Sequence, residues 1–88
     1  MIRKRVLVSG EVQGVFYRDT CRRVAQRHDV AGWVRNLPDG RVEAVFEGSA
    51  DSVAQLVSWT RLGPSRATVT AVDVHDEPVQ GLTAFKIR

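Results

Sequence analysis

With 88 residues, the chain is long enough for one hydrophobic core and too short for two. Its 43% hydrophobic and 26% charged residues are typical of a globular protein, and no apolar run approaches the roughly 18 residues that cross a membrane. The net charge of +3 suits anionic partners, but charge alone more readily indicates a small domain that its charge keeps soluble. The single cysteine, Cys21, excludes an internal disulfide and predicts a cytoplasmic location.

Hydrophobic periodicity predicts six main elements and a short closing strand. Alternating apolar residues predict strands, and apolar residues three and four apart predict helices. Ser49 is suited to cap the second helix, and the Pro-Asp-Gly turn at 38–40 joins the second and third strands as an antiparallel hairpin. In chain order, the predicted elements are a strand at 2–9, a helix at 18–29, strands at 30–36 and 41–47, a helix between Ser49 and Gly63, a strand at 68–75 and a closing strand over 83–87.

The order βαββαβ predicts an α+β fold of the ferredoxin-like type, a split βαβ sandwich. In this fold a four-to-five-stranded antiparallel sheet carries two helices on one face. No repeat or linker divides the chain, so residues 1–88 are expected to form a single domain. Many functions occur on this fold, and function must therefore be argued from particular residues.

The segment GEVQGVFYR, Gly10–Arg18, joins the first strand to the start of the first helix. Unpaired N–H groups and the positive end of the helix dipole favour an anion at such a junction. Gly10 and Gly14 are expected to let the backbone curl so that successive N–H groups converge, and Arg18 adds a planar fork for two phosphate oxygens. Glu11 must then point into solvent. Taken alone, the pattern also fits an ordinary turn with a surface arginine.

Asn36 ends the second predicted strand, directly before the turn. A carboxamide has one acceptor oxygen and two donor hydrogens, so it can orient a water molecule without taking its proton. For an isolated asparagine, the alternative is a turn residue that bonds its own backbone.

Together, these segments resemble the acylphosphatase family. GEVQGVFYR fits the family pattern G-x-V-Q-G-V-x-[FY]-R at every fixed position, and GWVRNLPDGRVEAVFEG at 32–48 fits a second family pattern. LGPSRATV at 62–69 and FKIR at 85–88 are also similar to the family, although many members have an aromatic residue after the final arginine. The resemblance thus covers essentially the whole chain.

The resemblance implies a hydrolase that splits the carboxyl–phosphate bond of acyl phosphates into a carboxylate and inorganic phosphate. It implies that Arg18 and Asn36 are catalytic, with Arg18 binding phosphate and Asn36 positioning the attacking water. The loop residues implied to bind phosphate through their amides are Gln13, Gly14, Val15, Phe16 and Tyr17. A monomer that binds a small acyl phosphate is expected, with inorganic phosphate or other anions as competitive ligands and with no cofactor, nucleic acid or membrane.

This chemistry is consistent with the residues present. No Cys, His or Asp cluster has the spacing of metal ligands, and His28 and His75 lie away from the loop in sequence. A carboxylate leaving group has a pKa of about 4 and needs no proton at neutral pH. Positioning and charge stabilisation can supply most of the catalysis of phosphoryl transfer, so the sequence predicts a metal-independent reaction.

Three other functions fit parts of the sequence. Cys21 and Arg27 have the C-x5-R spacing of cysteine-dependent phosphatases, but the intervening residues favour a helix and include no glycine, so a buried cysteine is expected. An RNA-binding module on the same fold needs aromatic residues on its central strands, and the first strand has none. A regulatory domain within a larger maturation protein is the third possibility; because the chain ends soon after the fold, a free-standing enzyme is expected.

Overall fold

Seven elements follow the predicted βαββαβ order with a short closing strand. The computed structural model describes all residues from Met1 to Arg88. The elements are β1 (Ile2–Glu11), α1 (Tyr17–Arg27), β2 (Ala31–Asn36), β3 (Val42–Gly48), α2 (Ala50–Leu62), β4 (Thr68–Glu77) and β5 (Phe85–Ile87). No helix is long and apolar enough to cross a membrane.

The five strands form one mixed sheet in the order β4-β1-β3-β2-β5. β1 is antiparallel to β3 and β4, and β2 is antiparallel to β3. β5 instead pairs in parallel with β2, which corrects the prediction of a wholly antiparallel sheet. The cause is the connection: β4 ends where β2 begins, so the chain crosses that end of the sheet and enters β5 in the direction of β2.

Local signals for turns and caps are confirmed. Ser49 Oγ accepts a hydrogen bond from the Ser52 N–H at 3.2 Å and caps α2. In the turn between β2 and β3, Asp39 Oδ1 accepts from the Arg41 N–H at 3.1 Å, and Gly40 has a φ of +93°. These contacts fix the hairpin that carries Asn36.

One face of the sheet packs against both helices. The core of this layer consists mainly of small β-branched residues from the strands and a few larger residues from the helices. Tyr17, Cys21 and Ala25 of α1 are buried at helical spacing, as predicted. Residues contributed by other elements include Val6, Val8, Val34, Val42, Ala44, Phe46, Val53, Leu56 and Phe85.

The opposite face, here called the open face, carries a chain of ion pairs. Arg3, Arg5 and Arg35 alternate with Glu43, Glu47 and Glu77 across four strands. The N···O distances are 2.7 Å between Arg3 and Glu47 and 2.9 Å between Arg3 and Glu77. They are 2.6 Å between Arg5 and Glu77, 3.2 Å between Arg5 and Glu43, and 2.7 Å between Arg35 and Glu43. The three positive and three negative charges balance.

Glu47 also holds the segment that leads into β5. Its fully buried carboxylate accepts hydrogen bonds from the backbone N–H groups of Gln80, Gly81 and Leu82 at 3.0, 3.1 and 3.0 Å. Burial opposes ionisation, but the hydrogen bonds from Arg3 and these N–H groups outweigh it, and the pKa of the Glu47 carboxyl lies below its usual value. A charged Glu47 therefore fixes the path that places β5 beside β2.

Candidate active site

The ends of three strands meet the start of α1 at one edge of the sheet. β1, β2 and β5 run in the same direction, so Glu11, Asn36 and Ile87 end their strands at this edge. The loop of residues 12–16, here called the β1–α1 loop, lies there too. A pocket of about 300 Å³, here called the edge pocket, is lined by Val12, Gly14, Phe16, Arg18, Asp19, Asn36 and Ile87. Arg18 and Asn36 therefore line one pocket.

Arg18 is half-buried and forms no ion pair. No carboxylate lies within 4 Å of its guanidinium. Each other lysine or arginine that is at least half-buried has a carboxylate partner, and these side chains are Arg3, Lys4, Arg5, Arg22 and Arg41. Arg18 is thus the one sheltered lysine or arginine whose charge no carboxylate neutralises.

The backbone of the β1–α1 loop has free donors. No N–H group from Gln13 to Asp19 donates to a backbone carbonyl, and the first such bond of the helix runs from the Thr20 N–H to the Phe16 carbonyl at 3.1 Å. Phe16 occupies the N-cap position of α1, where no side chain caps the helix. The N–H groups of this first turn are therefore available to an anion.

Gly14 and Gly10 have different roles. Gly14 has a φ of +72° with open space where a side chain would start, so the backbone conformation alone favours glycine there. Gly10 lies inside β1 at a bulge after Ser9, and a Cβ on it would lie 2.1 Å from the Thr68 carbonyl oxygen. The prediction that Gly10 curls the loop is therefore wrong: it allows β4 to approach. Glu11 is exposed, as an anion site requires.

Gln13 ties the β1–α1 loop to the β2–β3 turn. Its side-chain Nε2 donates to the carbonyls of Leu37 at 2.8 Å and Arg41 at 2.9 Å. Leu37 directly follows Asn36, so these bonds fix the loop relative to Asn36. Of the predicted amide donors, Gly14 and Phe16 line the edge pocket, whereas Gln13, Val15 and Tyr17 do not.

Tyr17 points away from the pocket. Its ring lies in the core, with its centroid 5.0 Å from that of Trp59, and its hydroxyl donates to the Thr60 carbonyl at 2.8 Å. Burial raises the pKa of the Tyr17 hydroxyl, which stays neutral. The side chain anchors the start of α1 to α2, and only the backbone of Tyr17 faces the junction with the loop.

Asn36 presents an acceptor without a partner. Its side-chain Oδ1 is buried and receives no hydrogen bond from the protein. Leaving such a group unsatisfied costs about 1–3 kcal/mol, which a bound donor such as water would recover. Because Asn36 lines the edge pocket, that donor would lie in the same pocket as Arg18.

Comparison with known proteins adds a family to this geometry. The family model described as Acylphosphatase matches residues 4–87. The chain belongs to the acylphosphatase family. An acylphosphatase from Rubrobacter xylanophilus is 58% identical over 87 residues, which cover 98% of this chain and 79% of that protein.

Solved acylphosphatases have the same fold. The crystal structure of acylphosphatase from Bacillus subtilis superposes with a TM-score of 0.97 at 34% identity, covering 100% of this chain and 99% of that one. An acylphosphatase from Coxiella burnetii gives a TM-score of 0.95 at 39% identity, covering 99% and 92%. These likenesses confirm the predicted family and the ferredoxin-like α+β fold, and the acylphosphatase family implies a small acyl phosphate as substrate.

Sequence reasoning missed Val12, Asp19 and Ile87 in this acylphosphatase pocket. Asp19 follows Arg18 and forms ion pairs with Arg22 at 3.2 Å and Arg23 at 3.1 Å, so its charge is balanced. Its position directly after Arg18, in the first helical turn, is a signal from which its place at the pocket can be predicted. No sequence signal places Ile87 at the pocket, because its position depends on the parallel pairing of β5, which was not predicted.

Cys21 does not reach the pocket of this acylphosphatase. Its side chain is fully buried in the core, and burial raises the pKa of its thiol, so it lacks the thiolate character of a nucleophile. The predicted buried cysteine is confirmed. No group of three or more His, Cys, Asp or Glu side chains is placed to hold a metal ion.

Proposed function

We propose that the protein is a metal-independent acylphosphatase in which Arg18 and the β1–α1 loop bind phosphate and Asn36 positions the attacking water. The observation that carries this proposal is the shared pocket. The unpaired guanidinium of Arg18 and the unpartnered Oδ1 of Asn36 both belong to it. One group suits an anion and the other suits a hydrogen-bond donor.

The phosphoryl group is held by positive charge and N–H donors. A guanidinium can bind two phosphoryl oxygens at once, and Arg18 has no carboxylate that competes for this role. The free N–H groups between Gln13 and Tyr17 add further donors. Both stabilise the charge spread over the equatorial oxygens in a loose transition state.

Asn36 directs the water. Its Oδ1 accepts a hydrogen from the water and aims the oxygen lone pair at phosphorus. The water oxygen bonds to phosphorus, the bond to the acyl oxygen breaks, and its electron pair leaves on the carboxylate. Both hydrogens of the water stay with the phosphate product. The carboxylate, with a pKa of about 4, requires no proton, so neither a metal nor a general acid is needed.

Phosphate release from benzoyl phosphate in the presence of EDTA tests this function. We expect full turnover with EDTA, a strong loss with Arg18→Ala, and no loss with Arg61→Ala, which removes an exposed charge from α2. Inorganic phosphate is expected to inhibit competitively. Absence of turnover by the wild-type protein, or turnover unaffected by Arg18→Ala, would contradict the proposal.

We also propose that the enzyme is a cytoplasmic monomer. The free, buried thiol of Cys21 is compatible with a reducing compartment. The edge pocket is lined by residues of a single chain, so the proposed chemistry does not require a second copy. Size-exclusion chromatography with light scattering would test the monomer, and a dimeric mass at assay concentration would contradict it.

The open face gives little support to the alternative of an RNA-binding module. Its arginines are neutralised by glutamates. Trp33, on β2, has the guanidinium of Arg88 at 4.5 Å and that of Arg35 at 5.3 Å from its ring centroid, so its ring is already engaged. Bases need free aromatic rings for stacking.

A further inference from the structure

We infer that Arg22 and Arg23 hold the carboxylate of Asp19 away from the N–H groups that bind phosphate. This inference rests on the proposed function and deepens it, because it assigns a role in phosphate affinity to two residues that do not line the edge pocket. Without them, the Asp19 carboxylate would turn back to the start of α1 and compete with phosphate for the free N–H donors. Arg22 and Arg23 are thus positioning residues that act through Asp19.

Asp19 is the only acidic residue that lines the edge pocket. It is also the third residue of α1, which begins at Tyr17 after the N-cap residue Phe16. From this position an acidic side chain can reach back and accept a hydrogen bond from the N–H of the N-cap residue, as glutamate does in a capping box. The positive end of the helix dipole attracts it to the same place. The Asp19 carboxylate and a phosphate therefore favour the same donors.

The Asp19 carboxylate does not cap α1 in this way. No side chain caps this helix, and the N–H groups from Gln13 to Asp19 donate to no backbone carbonyl. In α2, by contrast, the hydroxyl of the N-cap residue Ser49 accepts a hydrogen bond from the Ser52 N–H. The start of α1 thus keeps its N–H groups free, although the helix carries an acidic residue at a position that can cap them.

Both carboxylate oxygens of Asp19 instead contact the next helical turn. Arg22 Nη2 donates a hydrogen bond to Oδ1 at 3.2 Å, and Arg23 Nη2 forms an ion pair with Oδ2 at 3.1 Å. These are the i,i+3 and i,i+4 spacings at which charged side chains meet on a helix. Because both arginines follow Asp19 in the chain, the two contacts draw its carboxylate away from the start of the helix.

The two arginines have no other carboxylate partner. Asp19 is the only carboxylate that either of them contacts. The Nε of Arg22 is buried and has no hydrogen-bond partner, so the fold bears the free-energy cost of an unpaired N–H group while the guanidinium lies beside Asp19. The conformation of Arg22 therefore serves the contact with Asp19 and not the pairing of its own N–H groups.

Titration calorimetry with inorganic phosphate tests this inference without turnover. In Arg22→Gln/Arg23→Gln, we expect the Kd for phosphate and the KM for benzoyl phosphate to rise about fivefold, the affinity equivalent of one helix-capping hydrogen bond. The kcat should change less than about twofold, because Arg18 and Asn36 are retained. In an Asp19→Asn background, the same two substitutions should change the Kd less than about twofold, since a neutral side chain is not drawn to the helix dipole.

Arg61→Gln/Arg66→Gln is the matched control for loss of charge. Arg61 and Arg66 are exposed and form no ion pair, so their removal releases no carboxylate. They lie at and after the end of α2, and β4 then begins at Thr68, opposite Glu11 at the pocket edge of the sheet. This variant loses the same two positive charges at the same end of the molecule, and its Kd for phosphate should stay within about twofold of the wild type.

Three outcomes would overturn the inference. The first is an unchanged Kd in Arg22→Gln/Arg23→Gln, and the second is an equal loss of affinity in the Asp19→Asn background, because the arginines would then act on phosphate directly. The third is a wild-type protein that does not bind phosphate. A wild-type protein that binds phosphate but does not hydrolyse benzoyl phosphate would instead overturn the proposed function.

Discussion

The open face of the sheet and the edge pocket use arginine in opposite ways. On the open face, Arg3, Arg5 and Arg35 each contact one or two glutamates. In the edge pocket, Arg18 is half-buried and contacts no carboxylate. The difference separates a structural arginine from one that is free for a ligand: composition and net charge describe both equally, and only the partners distinguish them.

The two regions also differ in what an arginine contributes to stability. A buried ion pair that loses one partner leaves an uncompensated charge, which costs about 3–5 kcal/mol. A half-buried arginine without a partner does not neutralise a buried carboxylate, so its removal leaves no uncompensated charge. The folded protein already bears the free-energy cost of partly desolvating that arginine. Replacing an arginine by alanine should therefore lower mainly the stability on the open face and mainly the activity in the edge pocket.

The largest expected effect comes from truncating one arginine in each region. Arg18→Ala should lower kcat/KM for benzoyl phosphate about 10³-fold, since it removes charge stabilisation of the transition state. It should change the free energy of unfolding by less than about 0.5 kcal/mol. Arg3→Ala should do the reverse and lower the free energy of unfolding by about 3 kcal/mol. Urea unfolding and phosphate release measure both variants.

Removing one end of an exposed ion pair is the control for Arg3→Ala. Lys4 pairs with Asp76, whose side chain is 83% exposed. Asp76→Ala should leave the urea midpoint nearly unchanged, because exposed pairs contribute little. If Arg18→Ala destabilised the protein as much as Arg3→Ala, the distinction between the two regions would be wrong.

The next effect concerns Asn36. Asn36→Ala should lower kcat by about 10²-fold, as for loss of one preorganised group at a reacting centre. KM should change less than in Arg18→Ala, because the phosphate contacts remain. Steady-state kinetics would separate the two parameters, with Gln55→Ala on α2 as an exposed carboxamide control. A change confined to KM would contradict a role in water positioning.

A smaller effect is expected at Gln13, which acts only by holding the loop. Gln13→Ala and Gln13→Met should each lower kcat/KM about tenfold, because both lose the bonds to Leu37 and Arg41 and let the loop shift relative to Asn36. Methionine keeps the length of the side chain, so equal losses in both variants would point to the hydrogen bonds. Wild-type kinetics in Gln13→Met would refute this positioning role.

The smallest effect is a pH dependence on the open face. The pKa of Glu47 is lowered in the folded protein, so its contribution to stability is complete above the ordinary glutamate pKa of about 4.3. This contribution is lost as the pH falls toward the lowered pKa. The difference in free energy of unfolding between the wild type and Glu47→Gln should therefore shrink from pH 5 to about pH 3. A constant difference would contradict the assignment.

Local sequence signals predicted most of the fold. Alternating and helical periodicities found the seven elements, and Ser49 and Asp39 make the contacts expected from their types. The parallel placement of β5 could not be predicted from its three residues, because a short strand has too little pattern to choose a neighbour. Its pairing depends on a distant contact, the hold of Glu47 on the preceding segment.

For the pocket, the motifs predicted that Arg18 and Asn36 act at one site, and both side chains line the edge pocket because the ends of β1 and β2 meet at the same edge. They did not reveal which atoms of the loop matter. The side chain of Gln13 bonds the neighbouring turn, and Gly10 lies within a strand. Such roles depend on long-range contacts, which one-dimensional spacing does not contain.

Strand β5 forms the side of the edge pocket that carries Ile87, and it opens at a different free energy from the rest of the sheet. It has three residues, and its pairing with β2 includes the bonds from the Gly32 N–H to Ala84 and from the Arg88 N–H to Val34. A strand this short at a sheet edge opens at a lower free energy than the central strands. Fraying of β5 would carry Ile87 away while Arg18 and Asn36 keep their places. The edge pocket would then widen on the β5 side alone, and the hydrogen bonds that Glu47 accepts from the segment before β5 oppose this fraying.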